Sequence, residues 1–151
     1  MFHPKFLFMN YAYQIKRWSS THPVLLTILR IILGICLTAR GLYFLNNNYA
    51  LNQMITNSAL NSLDMTAILA MLITAVHILG GAFIILGLFT KLSTWAQVPI
   101  VVGAIIFINL NGGVHINDLL FSIFILLLLS IFIIEGGGNI SMDHHIKRTL
   151  L

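Results

Sequence analysis

Apolar residues fill four long stretches of this chain, at about 23–45, 65–89, 92–110 and 118–134. An α-helix rises about 1.5 Å per residue, so about 20 residues cross a hydrocarbon core of about 30 Å. Each stretch therefore reads as a transmembrane helix. The second and third hold no formally charged residue, and His77 is their one titrating group. The fourth is the shortest and leans on Asp118 and Glu135 near the interfaces, but "FSIFILLLLSIFII" has no soluble reading. Pro99 and Gly103 predict a kink in the third.

Ahead of the first span, "MFHPKFLFMNYAYQIKRWSS" mixes aromatic rings with Lys5, Lys16 and Arg17. That mixture predicts an interfacial helix over 1–22, with rings at headgroup level and cations toward phosphates. Thr21-His22-Pro23 is a good helix start, because proline in the first turn lacks only an N–H that would be unpaired anyway. The apolar run that follows is longer than the core of a signal peptide and no Ala-x-Ala site follows it, so it reads as a retained span. The expected organisation is thus an interfacial segment at 1–22, a membrane domain at 23–135 and a tail at 136–151.

Composition agrees with lipid as the main solvent. Of the 151 residues 58% are hydrophobic and 8% charged, against about 25% charged in ordinary soluble domains. The net charge of +4 does not mark a nucleic-acid binder, because the basic residues sit singly or in pairs at the ends of apolar runs. Their placement sets an orientation instead. Lys5, Lys16, Arg17, Lys91, Lys147 and Arg148 all fall in segments on one side, while the loops after spans one and three contain no Lys or Arg. The positive-inside rule puts both termini in the cytoplasm and supports an even count of four spans. The fold class expected is an all-α integral membrane four-helix bundle.

The first span carries two charges that cannot be discharged, Arg30 and Arg40. Its 13 Leu, Ile, Val and Phe residues favour insertion by about 4 to 8 kcal/mol, and each central arginine opposes it by about 2.5 to 3.5 kcal/mol. The arginines therefore need interfaces or partners. Arg40 lies about 7.5 Å from the end of its span and Arg30 about 10 Å in from the start. At 100° per residue Thr27, Arg30, Gly34, Thr38 and Gly41 share a face, and Thr66, Ala70, Thr74, His77 and Gly81 form a matching stripe on span two. Small residues let membrane helices approach closely, so these stripes should meet. The expected charge pairs are Arg30–Glu135 and Arg40–Asp118. His77 is either a hydrogen-bonded packing residue or one that faces protons or a ligand. Asn109, Asn111, His115 and Asn117 crowd one end of spans three and four, as a polar pocket or a wet loop. No metal site is expected, since adjacent His144 and His145 point in different directions. The single cysteine, Cys36, lies inside an apolar run and is expected to pack.

Three segments together resemble the DoxX family of small bacterial membrane proteins. They are "LLTILRIILGICLTARGLYFL", "HILGGAFIILGLFTKLSTWAQVPIVVGAIIF" with its Gly-Gly and "GLFT-basic" turn, and the closing "EGGGNISMDHHI". The resemblance runs from about Leu26 to Ile146. It implies a four-helix membrane bundle in the bacterial inner membrane, named after a subunit of a thiosulfate:quinone oxidoreductase, with relatives in membrane redox and thiol-stress complexes. In many relatives the position of Arg40 holds histidine or lysine, and an arginine there stays protonated. No flavin, nicotinamide or metal-cluster motif accompanies it, so the chain has no intrinsic cofactor and can meet electrons only through a quinone or a partner. The expected partners are the bilayer and other membrane subunits or further copies of the chain. Three functions fit: an accessory subunit of a quinone-linked complex, a structural or assembly protein whose charges only pair helices, and a small transporter component. Arg40, His77 and Asp118 are the residues on which the first depends.

Overall fold

Proline disfavours helical geometry in the residue before it, and His22 before Pro23 marks the first break in the chain. The computed structural model describes residues 4–47, 66–110, 116–138 and 141–150. Helix α1 spans Pro4–Thr21 and α2 spans Pro23–Asn46, with His22 between them at φ −129° and ψ 59°. The remaining described helices are α3 (Thr66–Leu86), α4 (Thr90–Leu110), α5 (Ile116–Glu135) and α6 (Met142–Leu150), and no strand occurs among the described residues. The Ser20 and Thr21 hydroxyls close α1 by donating to the Arg17 and Trp18 carbonyls at 2.8 and 2.7 Å.

Helices α2, α3 and α5 are each long and apolar enough to cross a membrane. Helix α4 carries a shorter apolar stretch among the described residues, Thr90–Ile106. The helix itself runs 21 residues to Leu110, and the stretch at 118–134, expected to be short, belongs to a helix of similar length. Helix α5 takes in Asn117 and Asp118 in its first turn and reaches 20 residues. Helix α4 instead turns a polar face inward: Thr90, Ser93, Thr94 and Gln97 are all buried.

The main interface joins α2 to α3, and contacts then run from α3 to α4, α4 to α5, and α5 back to α2, with α1 resting against α5 and α2. Leu26, Leu33 and Leu37 of α2, Ile84 of α3, Val101 of α4, and Ile125, Leu128, Leu129 and Phe132 of α5 form one core, with Cys36 packed at its edge. The outward faces are apolar too. Ile28, Ile32 and Ile35 of α2, Met71 and Leu79 of α3, and Phe124 and Leu127 of α5 are exposed, as lipid-facing positions require.

The two small-residue stripes meet as their spacing predicts. Gly34, Gly41, Thr74, His77 and Gly81 are buried, and α2 and α3 run antiparallel with Gly34 against Gly81 and Gly41 against His77 and Ile78. Hydroxyls on these faces are satisfied within their own helices: Thr38 donates to the Gly34 carbonyl and Thr74 to the Ala70 carbonyl, both at 2.8 Å. Pro99 lies within a continuous α4, and Gly103 faces outward with open space beside it.

Candidate functional site

The helices gather polar side chains at two opposite ends of α2. At its first half, α3 closes in a Schellman arrangement, in which the Leu88 N–H donates to the Phe83 carbonyl at 2.9 Å and the Gly87 N–H to the Ile84 carbonyl at 3.1 Å. Gly87 takes φ +69°, which an L side chain rarely adopts, and a Cβ there would stand 2.6 Å from Arg30 Nη1. Phe89 follows at φ +47°. Its N–H and that of Thr90 both donate to the Asp143 carboxylate, at 2.8 and 3.0 Å, while the Asp143 N–H donates to the Gly87 carbonyl at 3.0 Å. A tail residue therefore caps the first turn of α4.

Arg30 completes this end. It is 4% exposed, its Nη1 donates to the Gly137 carbonyl, and Asp143 acts on the same guanidinium electrostatically. Glu135, the partner expected from the sequence, is half-buried at the last position of α5, two residues before Gly137. Ser141 lies against Gly87 and Gly137. The "GLFT" turn, the Gly-rich run and the Ser-x-Asp ending are thus one polar knot closed over a buried arginine. A carboxylate that accepts two backbone N–H bonds at a helix start is worth about 1–2 kcal/mol. Asp143→Ala should lower stability by that amount, measured as earlier thermal unfolding in detergent, with Asp143→Asn retaining part of it.

The second half of α2 carries a different arrangement. Arg40 Nη1 lies 3.9 Å from Asp118 Oδ1, and the two side chains are 32% and 49% exposed. The pair expected from the sequence is formed. At that exposure it contributes at most about 1 kcal/mol. One turn along α2, the guanidinium carbon sits 5.6 Å from the centroid of the Phe44 ring, close enough for cation–π attraction. Phe44 in turn meets His77 edge to face, with centroids 5.9 Å apart and planes at 72°. His77 is 5% exposed, and its Nδ1 lies 3.1 Å from the Ile73 carbonyl. A carbonyl can only accept, so Nδ1 carries the proton and Nε2 of the neutral ring is an acceptor.

This line of Asp118, Arg40, Phe44 and His77 offers guanidinium donors, an aromatic edge and an imidazole acceptor, running from the surface into the helix interface. It contains no nucleophile with an adjacent base. Among the described residues no three His, Cys, Asp or Glu side chains are grouped to hold a metal ion. Asn117 is exposed beside Asp118. The Asn109 side chain and residues Asn111 and His115 lie outside the described residues, so the polar pocket or wet loop expected there is not described.

A family model described as DoxX matches residues 25–110. This chain belongs to the DoxX family. The family and the apolar helices together make it a multi-pass membrane protein. No curated protein and no solved structure matches it. The matched region of this DoxX protein holds Arg30, Arg40, Phe44, His77 and the turn at Gly87, while Asp118, Glu135 and Asp143 fall beyond it. Gln97, also inside the match, was not singled out by its sequence context. It is fully buried and its Nε2 donates to the Val76 carbonyl at 2.8 Å, against Gly80 where no side chain intervenes.

Proposed function

We propose that this DoxX protein is an accessory subunit of a quinone-linked redox complex in the bacterial cytoplasmic membrane, with four spans and both termini cytoplasmic. The observation that carries this reading is the Arg40–Phe44–His77 line. A quinone headgroup needs a donor for its carbonyl oxygen, an acceptor for the hydroxyl of its reduced form, and a flat apolar surface. Arg40 N–H groups, His77 Nε2 and the Phe44 ring supply those three. Electron transfer chemistry would be the quinone's own. The chain's part is to bind and orient: Arg40 stays charged and donates without giving up a proton, and Asp118 holds its guanidinium at the mouth of the line.

The Arg30 end supports a second, structural role. A buried guanidinium tied through Nη1 to the Gly137 carbonyl and sealed by the tail joins α2, the end of α5 and the α3–α4 turn.

Purification of the tagged protein from its native membrane in mild detergent, with mass spectrometry of what accompanies it, tests the proposal. A stoichiometric redox enzyme or quinone is expected, and ordinary phospholipid with no partner would leave only the structural role. Arg40→Gln should lower bound quinone by about tenfold to a hundredfold, the loss of one charge-assisted hydrogen bond.

A further inference from the structure

The tail helix α6 has a face that no helix among the described residues covers. Met142 and Ile146, one turn apart on α6, are both exposed, as is Arg148. On a helical wheel the apolar positions 142, 146 and 150 fall together, with Lys147 about 100° from the centre of that arc and Arg148 on the far side. Asp143 does not let this helix drift, because its bonds to the Phe89 and Thr90 N–H groups pin the first turn of α6 beside the α3–α4 turn. That turn is itself ringed by exposed apolar side chains, Phe89, Leu92 and Trp95. Aromatic residues at the ends of membrane helices sit at headgroup depth, so α6 begins at the membrane boundary.

We infer that α6 lies on the membrane surface with Met142 and Ile146 in the acyl boundary and its basic residues against anionic phospholipid headgroups. Two independent features select lipid over protein. The exposed apolar face is about two side chains wide, far below the roughly 1,200 Å² that a specific protein interface buries. Charge is also complementary: Lys16 and Arg17 of α1, Lys91 at the start of α4, and Lys147 and Arg148 all lie in segments at this same end. A short helix with an apolar edge and a basic position beside it, here 147, binds an interface by shallow insertion plus attraction to negative lipid. The polar knot under α6 is thereby covered from the aqueous side.

The test uses the full chain in lipid nanodiscs, with the single cysteine removed as Cys36→Ala. An environment-sensitive fluorophore is placed at Ile146→Cys or, as a lipid-facing control, at Leu79→Cys of α3. Discs contain phosphatidylcholine alone or with phosphatidylglycerol, each with brominated acyl chains that quench on contact. The Leu79 probe should be quenched in both. The Ile146 probe should be quenched strongly in anionic discs and weakly in neutral ones, and Lys147→Gln should reduce the docked-to-free ratio about fivefold. An Ile146 probe that stays unquenched in anionic discs while the Leu79 probe is quenched would overturn the inference. Equal quenching in both lipids would overturn the assignment of anionic headgroups.

Discussion

Arg30→Ala should cost this protein more than any other single loss of charge. The side chain is almost completely buried, and its removal leaves the Gly137 carbonyl without its donor. A hydrogen bond to a charged group contributes about 1.5–3 kcal/mol, and the acceptor left behind adds a further desolvation cost of about 1–3 kcal/mol. The expected destabilisation is therefore about 2.5–6 kcal/mol, seen as aggregation or a markedly lower unfolding temperature in detergent. Arg40→Ala, at a half-exposed pair, should shift unfolding by no more than about 1 kcal/mol. Equal stability losses for the two arginines would mean that the ends of α2 do not differ as described.

The second large effect is steric. A Cβ at Gly81 would meet Thr38 Oγ1 and stand 2.8 Å from both the Gly34 carbonyl oxygen and the Thr38 backbone N. Two of those three atoms are backbone, so no side-chain rotation relieves the clash and α2 must separate from α3. Overpacking a fitted interface costs about 1–3 kcal/mol. Gly81→Ala should fall at the upper end of that range and Gly81→Val beyond it, because Gly34 meets Gly81 across the same contact. Gly103→Ala is the control. Nothing lies within 4 Å of a Cβ there, and alanine is better in a helix by about 1 kcal/mol, so that variant should be neutral or slightly more stable. Loss of folded protein for Gly103→Ala would show instead that this outward face is occupied in the membrane.

Periodicity made much of this legible beforehand. The α2 and α3 stripes followed from 100° spacing, because a membrane helix pair has few ways to bring backbones close other than through small residues. Arg40–Asp118 was legible because both residues sit near span ends on the same side. The Arg30 site was only half legible: burial of an arginine at that depth demands a partner, but a backbone carbonyl such as that of Gly137 has no sequence signature. Asp143 was hidden for the same kind of reason. Its acceptors are used on N–H groups more than 50 residues away in the chain, and beside His144 and His145 it reads first as a weak metal motif. The polar face of α4 was hidden by averaging. A hydropathy sum over 92–110 conceals that Ser93, Thr94 and Gln97 share one inward face, and a glutamine's partner, here Val76, depends on which helix packs beside it.

On the proposed function, one end of α2 holds the helices together and the other binds a quinone. Photoaffinity labelling with an azido-quinone, applied in parallel to wild type, Arg40→Gln and Arg30→Gln in native membranes and normalised to folded protein, tests that separation most directly. Label in the wild type should map to peptides containing Phe44 or His77. It should fall about tenfold or more in Arg40→Gln at unchanged protein level. In Arg30→Gln the protein level should drop while the label per folded molecule is preserved. Labelling that is indifferent to Arg40, or that maps to the Arg30 end, would contradict the account.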